Sequence, residues 1–221
     1  MIPVLLTVIA LVSYLIGCLN AVSITSRLVF HRRLRPRAGE NAMTTMNRLY
    51  GIPGVVAVTV FDIAKTVVAV LLAGLFLHVA GREPVDSIIS YTGVGRLFAT
   101  FCVLLGHCFP AIYRFRGGQG GVIALTGLLC ANFPLGVLCG LVFAGVVAAT
   151  RYVSLAVIAA AVIAPLGVWL ELGGLCALLC LFCSIVVLFR YWRNVLRLLQ
   201  RTEPKFQFQK DLSMKFEEED F

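Results

Sequence analysis

The sequence predicts an all-α integral membrane protein of seven transmembrane helices, with the amino terminus outside and the carboxyl terminus cytoplasmic. Three observations predict it. Hydrophobic residues make up 60% of the 221 and charged residues only 14%, more apolar surface than a soluble domain of this size carries. The apolar residues fall into runs, most of them near the ~20 that one bilayer-spanning helix needs. Of the 19 Lys and Arg, all but Lys65, Arg82 and Arg96 lie in segments that seven crossings place on one face. Such a bias marks the cytoplasmic side.

The spans follow in order. Ile2 to Phe30 contains the first, continued by a more polar end, and it reads as a retained span because it lacks a basic leader and a cleavage site. Ile52 to Ala80 is the second, and Gly93 to Ile112 the third. The fourth, Gly121 to Ala131, is short enough to be a partial crossing. Pro134 to Arg151, Tyr152 to Leu170 and Gly173 to Phe189 complete the set. The segment "RYWRNVLRLLQRTEPKF" is basic with apolar residues at helical spacing, and reads as a helix on the membrane surface. Residues 1–206 form the membrane domain, and 207–221 a charged tail expected to be disordered.

The net charge of +8 does not indicate nucleic acid, because the arginines border apolar spans and form no soluble basic domain. The eight cysteines lie mostly within apolar runs. Cys180 and Cys183 form a C-x-x-C without a second pair or a neighbouring His, so they read as small core residues and not as metal ligands.

Polar groups in such a chain need a reason. "YRFRGGQGGVIALTG", Tyr113–Gly127, lies between two apolar runs. Gly117, Gly118, Gly120 and Gly121 expose backbone amides at a helix start, where the dipole adds positive potential. Arg114 and Arg116 add guanidinium forks suited to phosphate. The pattern fits a phosphate cradle, and equally a flexible turn with topology-setting arginines. Asp62 and Lys65 share one helix face inside the second span. Either charge at a span centre costs about 2.5–3.5 kcal/mol, so they face protein or water, as an ion pair or as ligand contacts. The first loop ends in a polar stretch holding Glu40, Asn41, Thr44, Thr45, Asn47 and Arg48. His107 is a lone histidine near the end of the third span, of the kind that usually satisfies a local hydrogen bond. Ser154 reads as the cap of the sixth helix or as a substrate contact. No Ser–His–acid trio and no H-x(4)-D acyltransferase box is present.

These pieces, in this order, are similar to one family. "YLIG" at Tyr14–Gly17, Thr44 with Arg48 and Gly51, "DIAK" at Asp62–Lys65, "GHCFP" at Gly106–Pro110, "FRGGQG" at Phe115–Gly120, "TRYVSLA" at Thr150–Ala156, and the Arg193–Phe206 segment resemble the bacterial acyl-phosphate-dependent glycerol-3-phosphate acyltransferases, the PlsY family. The resemblance implies a multi-pass protein of the bacterial inner membrane with its site facing the cytoplasm. It implies transfer of an acyl chain from acyl phosphate to the 1-hydroxyl of glycerol 3-phosphate, giving lysophosphatidic acid for phospholipid synthesis. Glycerol 3-phosphate, acyl phosphate and membrane lipid would be the partners, with no cofactor and no metal. Arg48, Lys65, Arg114 and Arg116 would hold phosphate, with Gly117, Gly118 and Gly120 orienting it. Asn194 and Glu203 would touch the glycerol end, and Asp62, His107 and Ser154 would support the site.

The departures from the family pattern are specific. Ala38, Gly39 and Glu40 stand where the family has Ser-Gly-Asn, and Thr45 where it has Asn. Gln119 replaces a lysine, Tyr191 a histidine and Trp192 an arginine. Acyl phosphate is already activated, so catalysis can rest on positioning and charge stabilisation. General acid–base groups contribute about 10²–10⁴-fold, so their loss slows the reaction unless Glu40, Tyr191 or Arg114 compensates. The alternative is an impaired or inactive homologue that acts as a partner or regulator of lipid-synthesis proteins. A transporter ranks last, because the outer half of the spans offers little beyond Glu171 and His78.

Overall fold

The protein is seen in a computed structural model that describes residues 2–31, 42–79 and 90–203. The described residues form eight α-helices: α1 (Ile2–Gly17), α2 (Ala21–Leu28), α3 (Ala42–Val79), α4 (Ser90–Cys108), α5 (Gly121–Ala131), α6 (Phe133–Thr150), α7 (Val153–Leu172) and α8 (Gly174–Leu199). Five are long and apolar enough to cross a bilayer, and six if α1 and α2, bent by 50°, count as one broken span. The chain is therefore an all-α, multi-pass protein. Glu40, the rest of 32–41, and the 207–221 tail lie outside the described residues.

The first span breaks where Asn20 caps α2, its side chain accepting from the Ser23 amide at 3.0 Å. The second span begins at Ile52 as expected, but it is preceded by helix that was not expected: α3 starts at Ala42 and is interrupted at Gly51, where φ is 60° and ψ −149°. That conformation suits glycine, and Pro53 beyond it cannot donate to the preceding turn. The break turns Ala42–Tyr50 into a separate arm. Met46, Leu49 and Tyr50 bury against Ala21 and Val58, with Phe30 stacked on Tyr50 at 3.8 Å. The polar loop end thus becomes helix because its apolar face has a partner.

α4 is the central element, in contact with α1, α3, α5 and α8. α1 crosses it so closely that a Cβ at Gly106 would collide with the Tyr14 carbonyl. α5 has 11 residues, about 16 Å, roughly half a bilayer core. Its end is satisfied by Arg96 of α4, which donates to the Cys130 carbonyl at 3.0 Å. Asn132 then opens α6 by accepting from the Leu135 amide at 3.0 Å. α8 corrects another expectation: Arg190–Leu199 of the basic segment form no separate surface helix but the last turns of one 26-residue helix. Its buried face, Cys176, Cys180, Cys183, Val187, Tyr191 and Asn194, recurs at helical spacing, so Asn194 follows directly from core packing. Leu141, Leu166, Leu170 and Phe189 are exposed on outer faces, as lipid contact requires.

Candidate functional site

The turn from α4 to α5 is built from its first residues onward. A 3₁₀ turn, Ala111–Tyr113, ends at Arg114, and Arg114 and Phe115 both take left-handed backbone, with φ of 54° and 60°. The Tyr14 hydroxyl of α1 secures the turn's start, donating to the Phe109 carbonyl at 2.9 Å and accepting from the Ala111 amide at 3.1 Å. Gly117 to Gly120 then run back over the end of α4. Gly118 must be glycine by proximity, since a Cβ there would run into the His107 imidazole.

Hydrogen bonds set the direction of each peptide. The Gly118 amide donates to the His107 carbonyl at 3.0 Å. Gly118 was expected to offer that amide to a phosphate; it is already used. Among the described residues, the amides of Gly117, Gln119 and Gly120 have no protein acceptor, and α5 begins at Gly121 with its first-turn amides unpaired along the helix. Arg190 of α8 donates to the carbonyls of Gly117 (2.5 Å) and Gly118 (2.9 Å). Arg114 and Arg116 are exposed on the turn.

Beneath the turn lies a buried charge cluster. Lys65 Nζ stands 2.7 Å from Asp62 Oδ1, 3.1 Å from the Leu19 carbonyl and 3.0 Å from His107 Nδ1. The ammonium thus makes two hydrogen-bond contacts and one ion pair, engaging it on three sides. Lys65 is therefore no free phosphate ligand in this arrangement; it neutralises Asp62 and fixes His107. An ammonium can only donate, so Nδ1 accepts and the ring proton sits on Nε2, the edge against Gly118. Sequence reading left Asp62–Lys65 open between ion pair and ligand contact; the geometry makes it an ion pair.

A second network joins α7, α8 and the segment after α8. The Ser154 hydroxyl donates to Glu203 Oε1. Asn194 Nδ2 donates to the same oxygen at 2.8 Å and to Ser154 Oγ at 3.0 Å. Arg197 Nε pairs with Glu203 Oε2 at 3.0 Å. Gln119 links this network to the glycine turn, donating from Nε2 to Asn194 Oδ1 at 2.8 Å. Ser154 was expected to cap α7, but Tyr152 holds the cap position without a side-chain bond. Asn194 and Glu203, expected at the glycerol end, are buried and spend their polar atoms on one another and on these neighbours. Tyr191 is buried with its hydroxyl beside Gly121, where a Cβ would lie 3.2 Å from it. Arg48 is half-buried in the first arm of α3 and has an interaction with its surroundings.

Sequence reasoning passed over Arg190, Arg197 and the bond from Gln119. A signal existed: residues 190, 194 and 197 share one helix face once the helix is carried past Phe189. Among the described residues no group of three His, Cys, Asp or Glu is placed to hold a metal ion.

Comparison with known proteins gives concordant results. The sequence model described as glycerol-3-phosphate acyltransferase matches residues 7–201. A glycerol-3-phosphate acyltransferase of Methylococcus capsulatus is 31% identical over 195 residues, 87% of this chain and 92% of that one. The fold matches that of PlsY (YgiH), an integral membrane glycerol 3-phosphate acyltransferase, in its glycerol 3-phosphate form: TM-score 0.75, 24% identity, 91% of this chain and 96% of that one. The lysophosphatidic acid form of that protein matches with the same TM-score, at 23% identity over 92% and 96% of the two chains. With most of its length matched by the family model, and with a relative above 30% identity along nearly the whole of both sequences, the chain belongs to the glycerol-3-phosphate acyltransferase family.

Proposed function

We propose that this protein is a membrane glycerol-3-phosphate acyltransferase that uses acyl phosphate as donor. The observation that supports this most directly is the glycine turn, whose unpartnered amides at Gln119 and Gly120 stand at the start of α5 and beside Arg114 and Arg116. Bare amides, a helix amino terminus and guanidinium groups together favour a phosphate dianion. Both substrates carry one. Glycerol 3-phosphate and lysophosphatidic acid, named for the forms of the structural neighbour, fit that chemistry as substrate and product.

In this reading Arg48, Arg114 and Arg116 attract and hold phosphate, and the amides of Gln119, Gly120 and Gly121 orient it. Asp62, Lys65 and His107 form the rigid floor. Asn194, Ser154 and Glu203 hold α7, α8 and the following segment together around the turn. The 1-hydroxyl of glycerol 3-phosphate attacks the acyl carbonyl, a new ester C–O bond forms, and the acyl C–O bond to phosphate breaks. The departing phosphate takes the hydroxyl proton, so no protein base is required. Holding the two phosphates at a fixed separation supplies the rate enhancement. The acyl chain lies among the helices and the site opens to the cytoplasm. That orientation requires α5 to count as a seventh crossing, with the amino terminus outside and the inner membrane of a bacterium as the location.

The test is direct. Purified protein given acyl phosphate and glycerol 3-phosphate forms lysophosphatidic acid and inorganic phosphate in equal amounts. No product, under conditions where an active relative turns over, removes the reading.

A further inference from the structure

Gly117 and Gly118 turn their carbonyls, not their amides, toward α8. Arg190 binds both, through Nη2 to Gly117 and Nε to Gly118. A bidentate guanidinium fixes orientation as well as distance. The ring of Phe109 lies against the same group, 5.5 Å from centroid to Cζ. Among the described residues Arg190 has no carboxylate within ion-pair distance, and the two carbonyls are its hydrogen-bond acceptors there.

A trans peptide points its N–H away from its C=O. The Gly117–Gly118 peptide shows the consequence: its carbonyl goes to Arg190 and its amide goes the other way, to His107. The next peptide obeys the same geometry. Its carbonyl goes to Arg190, so the Gln119 amide points away from the guanidinium, with no acceptor among the described residues. A cation on the carbonyl oxygen polarises the peptide and strengthens its N–H as a donor.

We propose that Arg190 is a positioning residue for the substrate phosphate. It clamps two glycine carbonyls from behind, and so aims and strengthens the Gln119 amide beside those of Gly120 and Gly121. This deepens the phosphate-binding reading of the turn and rests on it. Arg190 itself does not touch phosphate.

The full-length protein in detergent is compared as wild type, Arg190→Lys and Arg190→Ala. Lysine keeps the charge but cannot bridge two carbonyls. The measurements are kcat, KM for each phosphate substrate, thermal stability, and amide hydrogen exchange over residues 115–123. The expected result is that Arg190→Lys melts near wild type yet raises KM for one phosphate substrate about tenfold, as loss of a hydrogen bond to a charged group does. The substrate whose KM moves is the one the turn holds. Gly118 exchange quickens in both variants while α6 and α7 are unchanged. Unchanged KM values and unchanged exchange in Arg190→Lys overturn the proposal. So does a uniform loss of every parameter together with thermal stability. Wild-type inactivity strikes the acyl-transfer reading instead, and inorganic phosphate then decides: weaker binding to Arg190→Lys sustains the clamp, equal binding removes it.

Discussion

Lys65 and Asp62 meet at 2.7 Å within one turn of α3, both shut away from solvent. Removing one partner from a buried pair leaves the other charge uncompensated, which costs about 3–5 kcal/mol. Lys65→Met and Asp62→Asn are each expected to lower thermal stability in detergent sharply. The double variant is expected to recover part of the loss, because no lone charge remains. A double-mutant cycle on melting checks this; additive losses would show that the two groups do not act as a pair.

Lys65 also fixes His107, and the ring of His107 fills the space that a Cβ on Gly118 would need. Gly118→Ala must therefore displace either the imidazole or the turn. A shift near 1 Å in a positioning element can lower kcat/KM by up to about 10²-fold. The expected signature is a raised KM for the phosphate substrate that the turn holds, with the fold retained. Steady-state kinetics beside a melting curve separates this from unfolding.

These two contacts also show where sequence reading ends. The apolar runs were legible because a lipid-facing helix must be apolar along its length, and α5 matches its expected bounds because Gly120 and Asn132 flank it. The Asp62–Lys65 pairing was visible as a three-residue spacing. The Gly51 break was not, because the arm before it is helical only once Met46, Leu49 and Tyr50 find Ala21 and Val58. Arg190 was missed for a related reason. Its partners lie more than seventy residues earlier, and only the packing of α8 on α4 brings them together. Glycines suggested an amide cradle, but the use of Gly118's own amide by His107 depends on how the turn folds back.

The arginines assigned to the phosphate should contribute unequally. Arg114 and Arg116 are exposed, where water and salt screen their charge. Arg48 is half-buried, so its field reaches a bound anion with less screening. Arg116→Ala is expected to weaken glycerol 3-phosphate binding a few-fold, and less at high salt, while Arg48→Ala weakens it more and with less salt dependence. Titration calorimetry at two ionic strengths checks both; unchanged affinity in both variants would remove these groups from the phosphate site.

Gln119 offers a gain-of-function test. Its Nε2 donates to Asn194 Oδ1, and Asn194 in turn bonds Ser154 and Glu203. A lysine at 119 can keep a donor near that oxygen, since its ammonium has three hydrogens and the amide uses one here. It would add a positive charge next to the unpartnered amides of the turn. The cost is small, because Glu203 lies within the same network and its carboxylate offsets a second cation beside Arg197. Gln119→Lys is therefore expected to lower KM severalfold for the phosphate substrate that the turn holds and to raise kcat/KM, without loss of thermal stability. Adding Asn194→Ala should reverse much of this gain, because the ammonium then lacks the oxygen that holds it toward the turn. If Gln119→Lys leaves KM unchanged while the protein remains folded, the side chain at 119 does not reach the phosphate.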